Sequence, residues 1–217
     1  MVTTVSEAQI GNMALDLLLQ TNEEVLLDIV TPTTETEQIL KRWYDPARRA
    51  VLRKRIWNFA KTRIILTKVT GTGSTPVFGF ENKHNLPNDF IRFVKLSADS
   101  DLFAPRLSRE RYTLENNQIL SDVDGNLFLI YIRDFTSTGF FDPLFVIHLA
   151  VELAWYISYK ITGSNVNRES LMKIADETMS AASSVDAAEE PPRRIEESVP
   201  RDLRRRRFSG RRTTFWF

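Results

Sequence analysis

The chain has 217 residues, 42% of them hydrophobic and 26% charged, with a formal net charge of +1; this globular balance excludes a bulk polyanion binder and allows one good core. With no cysteine, disulfides, thiolate nucleophiles and the common zinc frameworks are excluded as well. Residues 1–7 hold no basic stretch leading into an apolar one, and the longest apolar stretch, 140–161, is interrupted by Asp142, His148, Glu152 and Lys160. Neither a secretory signal nor a membrane span is therefore expected, and the reading is of a soluble protein made inside the cell.

Ser6 and Gln9 have capping-box spacing, and Ile10, Met13, Ala14, Leu17 and Leu18 recur at helical intervals, so residues 6–20 are expected to form a first helix. Residues 20–32 read as an extended connector. A second helix starts near Thr34 or Thr36, with Ile39, Leu40, Trp43 and Tyr44 as its stripe. Asp45-Pro46 predicts a kink or a fresh start, because proline lacks the N–H and restricts the residue before it. The new helix would run to about Phe59, burying Val51, Leu52, Ile56 and Phe59 and turning Arg48, Arg49, Arg53, Lys54 and Arg55 outward as a basic face. Trp43, Tyr44 and Trp57 are expected mostly in the core.

From residue 60 to 139 the texture changes. Strand-like runs at 63–69, 90–96, 102–107, 117–120 and 127–133 are separated by turn signals, among them Gly71-Thr72-Gly73 and Asp124-Gly125-Asn126. They predict a small antiparallel β domain inserted between helices. Asp142-Pro143 opens an apolar central helix that stops at Gly163, and residues 166–187 form a last helix. The fold class is thus α+β: a mainly helical bundle core (1–59 and 140–188), an inserted antiparallel β domain (60–139) and an extended basic C-terminal arm (189–217).

From Arg193 onward the arm holds nine arginines, Arg193, Arg194, Arg201, Arg204, Arg205, Arg206, Arg207, Arg211 and Arg212, against Glu196, Glu197 and Asp202. It ends in Phe215, Trp216 and Phe217. Arginine and tryptophan are favoured at interface hot spots, and an aromatic terminus rarely stays bare, so docking onto a protein partner is expected. Nucleic-acid binding through the same arginines is the alternative. The cations Arg48, Arg49, Arg53 and Arg55 are candidates for an inter-subunit or channel face, although a solvated helix face explains them as well. No phosphate loop, dinucleotide fingerprint or nucleophile elbow occurs. His84 and His148 stand far apart, and Asp99, Asp101, Asp122 and Asp124 sit in turns. No catalytic residue, cofactor or metal is expected, and the chain is not read as an enzyme.

Several landmarks follow one another in a familiar order. Asn12-Met13-Ala14-Leu15 is similar to an "Asn-x-Ala-Leu" opening. Tyr44-Asp45-Pro46-Ala47-Arg48 with Leu52 and Ile56-Trp57-Asn58-Phe59-Ala60 resembles a "Tyr-Asp-x-x-Arg…Leu…x-Trp-Asn-Phe-Ala" helix. Phe78-Gly79-Phe80 with Leu86-Pro87-Asn88-Asp89, then Phe140-Phe141-Asp142-Pro143-Leu144-Phe145, continue the pattern to Ser164. Together they resemble the tail tubular protein A (gatekeeper, or head-to-tail adaptor) family of short-tailed phages. The arginine-rich tail departs from that pattern.

The resemblance implies a structural virion protein of the neck or tail, made in the bacterial host cytoplasm. Its subunits would form a homo-oligomeric ring of about twelve copies under the portal protein, which requires head-to-tail contacts between identical chains. The arm would reach the portal protein, the opposite face would receive the tail nozzle or tube, and the channel would touch genomic DNA only transiently and non-specifically. A head-completion or stopper protein of a longer-tailed phage is the near alternative.

Overall fold

The computed structural model describes residues 5–19, 29–71, 73–100, 111–165 and 168–189. Helix α1 (Glu7–Leu19) opens on the anticipated box: Ser6 N donates to Gln9 Oε1 at 2.8 Å and Gln9 N to Ser6 Oγ at 3.2 Å. Helix α2 (Glu35–Lys54) is capped by Thr34, whose side chain accepts from Glu37 N while the Glu37 carboxylate takes Thr34 N at 2.8 Å. Two backbone donors at each helix start are satisfied in this reciprocal way.

The fresh helix start that Asp45-Pro46 allowed does not occur. Helix α2 runs through Pro46, and Asp45 is engaged by Arg48 at 2.9 Å instead of opening a new helix. An interior proline costs about 3 kcal/mol. Leu40, Tyr44, Ala47, Val51 and Leu52 are all buried on one continuous stripe, and each large buried side chain is worth about 1.5–3 kcal/mol, so burial outweighs the proline. The helix then ends earlier than expected, at Lys54, and residues Asn58–Ala60 form one separate 3-10 turn.

Six short strands follow: β1 (Lys61–Leu66), β2 (Asn82–Asn85), β3 (Phe90–Ser97), β4 (Tyr112–Glu115), β5 (Gln118–Ser121) and β6 (Leu127–Arg133). They make two antiparallel sheets, β1-β6-β3 and β2-β5-β4. Strands β2 and β4 carry too few apolar residues to announce themselves. The turn joining β4 to β5 is Asn116-Asn117, with φ of 48° and 60°; both residues are left-handed, as a tight hairpin needs and asparagine tolerates. The expected strand at 102–107, and residues 20–28 of the connector expected at 20–32, fall outside the described residues.

Helix α3 (Pro143–Thr162) begins at Asp142, whose carboxylate accepts from Leu144 N at 2.7 Å, and ends at Gly163 with φ 66°. Helix α4 (Arg168–Glu189) returns along it, and α1, α2 and α4 all pack on α3. Eleven of the 20 residues of α3 are buried. Contrary to the reading of 140–161, its length and mean hydropathy of 1.4 do match a membrane span; the surrounding helices mark it as a core helix.

Three layers result. On one face of the β1-β6-β3 sheet, Leu66, Leu96, Leu127, Leu129 and Tyr131 meet Ile119 of the second sheet. On the other, Ile132, Ile91 and Val94 join the helices' core with Trp57, Phe135 and Phe145. The period-2 alternation of β6 supplies both cores at once.

Candidate functional site

The cations expected on one outer face of α2 are instead divided among ties to the rest of the chain. Arg48 corrects the expectation outright, because only 2% of its side chain is exposed. It lies four residues from both Tyr44 and Leu52, on the buried stripe. Its guanidinium donates to the Asp134 carboxylate, to Phe135 O at 2.7 Å and to Asp45 Oδ1 at 2.9 Å. Burial by itself would lower the Arg48 pKa; the hydrogen bonds and charges of Asp45 and Asp134 outweigh it and hold the group above its ordinary value. Arg49, 61% exposed, takes the other Asp134 oxygen at 2.7 Å.

Farther along, Arg53 Nη1 donates to Ile91 O at 2.7 Å, while Arg92 Nη1 returns the contact to Lys54 O at 2.9 Å. The end of α2 and the bulged start of β3 thus clasp each other, and Arg92 fills orphan carbonyls of the helix terminus. Lys54 Nζ reaches the buried Glu152 of α3 at 2.6 Å. Arg55 lies over the Trp57 ring at 5.4 Å and donates to Met179 O at 3.0 Å. Trp57 is buried, with Nε1 on Val51 O at 3.1 Å, and Tyr44 is buried too. Trp43 is half-buried and stacks on Tyr156 with centroids 5.1 Å apart.

Both histidines are buried. His84 Nε2 sits 2.8 Å from Gly125 O, and His148 Nδ1 2.9 Å from Thr178 Oγ1. Burial pushes the His148 pKa below its ordinary value, opposed by Glu152, reinforced by Lys54 and opposed again by Ala175 and Asp176. Among the described residues, no group of three or more His, Asp or Glu side chains is placed to hold a metal ion. The turn acids Asp122 and Asp124 pair with Arg111 at 2.9 Å and Lys68 at 2.8 Å.

Two surface features stand out beyond these ties. The loop between β1 and β2 carries Val77 and Phe78 almost fully exposed, above a groove of about 290 Å³ that includes Glu115 and Leu120. A second groove, about 220 Å³, lies across β1 and β6. Sequence reasoning used Phe78 only as a landmark of the resemblance and did not single out Val77 or Ile65. The arm residues Arg193, Arg194, Arg201, Arg204, Arg205, Arg206, Arg207, Arg211, Arg212, Phe215, Trp216 and Phe217 lie outside the described residues.

Neither a protein-family model nor a curated protein matches the chain.

Proposed function

We propose that the chain is a structural virion protein, a portal-to-tail adaptor whose copies close into a ring around the DNA channel. In this reading helices α1 to α4 are the bundle core, residues 60–139 the inserted β domain and residues 189–217 an arm that docks on the portal protein. The observation that carries it is the order of landmarks from Asn12 to Ser164. In support, the motif residues Tyr44, Arg48, Trp57, Ala60, Leu86 and Phe145 are buried, so these landmarks sit at the joints of this fold. Arg49 and Arg53 remain exposed and are the members of the basic set left for a neighbouring subunit or the channel; Arg48 is withdrawn from that role.

The test is mass photometry of the purified chain, alone and with the cognate portal, with and without residues 189–217. The expected result is a ring or portal complex that the truncation weakens, since a tethered arm adds effective concentration. A full-length chain that never joins the portal overturns the proposal. One observation favours a second reading: nine arginines face three acids from Arg193 onward. If those arginines bind nucleic acid, affinity falls steeply with salt, and removing residues 193–217 abolishes that slope.

A further inference from the structure

The two surface features lie on opposite sides of the β layers. Residues 76–80 cross the outer face of the β2-β5-β4 sheet, beside Leu120, Gln118 and Glu115. On that sheet Ile119 points the other way, into the core between the sheets, and neighbouring strand residues alternate faces. The 220 Å³ groove lies on the far face of the β1-β6-β3 sheet, where Arg63 and Ile65 pair with Ile130 and Phe128. That face is shared with Ile132, which is buried in the helices' core, whereas the residues farther along it include the exposed Ile65. Ile65 is 54% exposed there, whereas Val77 and Phe78 are 96% and 86% exposed on the opposite side.

Adjacent bare apolar residues at a loop tip, and an open apolar groove elsewhere, both call for a partner. Their charges are complementary. The tip is flanked by the exposed carboxylates of Glu81 and Glu115; Arg111, 5.9 Å over the Phe80 ring, is paired with Asp122, and Lys83 beside the tip donates to Gly73 O at 3.0 Å, so one acid remains in excess there. The groove is edged by the exposed guanidinium of Arg63.

We infer that the occupant is a second copy of this chain: the Val77-Phe78 tip of one copy seats in the Ile65, Phe128 and Ile130 groove of the next. A tip and a groove on opposite sides cannot meet within one molecule. Between molecules they make a heterologous, head-to-tail contact, which leaves one tip and one groove unfilled at the ends and so propagates until a ring closes. The tip is an anchor, since a stable interface buries roughly 1,200–2,000 Å² in total. The inference deepens the adaptor reading by naming the subunit contact, and it rests on that reading for ring closure alone.

The test uses two single variants of the full chain, Phe78→Ser and Ile65→Glu, chosen at exposed positions and checked for wild-type circular dichroism. Sedimentation velocity should show wild-type assemblies and, for each variant, self-association weakened by about 30-fold or more, as for an interface hot spot. An equimolar mixture of the two variants should form dimers and nothing larger, because the intact tip of one fits the intact groove of the other and no free pair remains. Wild-type assemblies that both variants preserve overturn the inference and leave the adaptor reading standing. Loss of assembly on removing residues 190–217, with Phe78→Ser silent, assigns the groove to the tail and also overturns it. So does a wild-type chain that is monomeric at every concentration reached.

Discussion

Replacing Arg48 with methionine keeps a stem of similar length and removes the guanidinium from the joint between α2 and the chain leaving β6. Three partners lose a donor. The buried Phe135 carbonyl, held at 2.7 Å, is left unsatisfied at a cost of about 1–3 kcal/mol. Asp134, 14% exposed, keeps Arg49 at 2.7 Å, which reduces its share to about 1–2 kcal/mol, below the 3–5 typical of a buried pair broken completely. Asp45 is 69% exposed, so water screens that contact and it contributes well under 1 kcal/mol. The expected loss is about 3 kcal/mol, read by urea denaturation at constant m-value, with Tm lower by roughly 6–12 °C for a chain of this size. Asp45→Asn should cost less than about 1 kcal/mol. An Arg48→Met variant within about 0.5 kcal/mol of wild type would refute the view that this joint depends on a buried cation.

Three further outcomes follow from the geometry. His148→Gln should flatten the acid side of the stability curve: with the folded pKa depressed, the unfolded chain binds more protons, so wild-type stability is full above the ordinary histidine value and falls as pH drops through it towards the folded value. Thermal melts at pH 5 and pH 7.5, compared between the two proteins, read the difference. Asn117→Val, forced into φ 60°, should destabilise the β4–β5 hairpin by about 1–2 kcal/mol, seen as a lower urea midpoint. Trp57→Ala removes a buried ring packed edge-on to Phe145 at 5.0 Å and should cost about 3–5 kcal/mol by the same measurement.

Helix positions were legible where capping chemistry and periodicity agreed. Ser6 with Gln9, the choice of Thr34 or Thr36 as cap, and Asp142-Pro143 with Gly163 each marked a boundary within a residue or two of the observed one. Pro46 misled because a local rule was read without the long-range burial of Leu40 to Leu52 that overrides it. Arg48 misled in a different way. Its helical phase, four residues from Tyr44 and Leu52, already placed it on the buried stripe, yet its charge suggested solvent; the partner that resolves the conflict, Asp134, lies 86 residues away. Strand β2, Asn-Lys-His-Asn, has no apolar alternation of its own and exists because β5 pairs with it. Val77-Phe78 carries no contact signal in the sequence, and only its exposure in the fold makes it a candidate contact.

Strand β6 is the wall shared by both hydrophobic cores, with Leu127, Leu129 and Tyr131 on one side and Ile132 on the other. Neither compartment can therefore open without stripping apolar cover from its neighbour, and the two should melt in one cooperative step. A fragment cut at residues 60–139 would bare Ile132 and Phe135 to water and lose Arg48 from Asp134. In hydrogen exchange, the amides of β6 should be among the last to surrender their protons, and those of β1 and β3 should follow the same global clock rather than a local one.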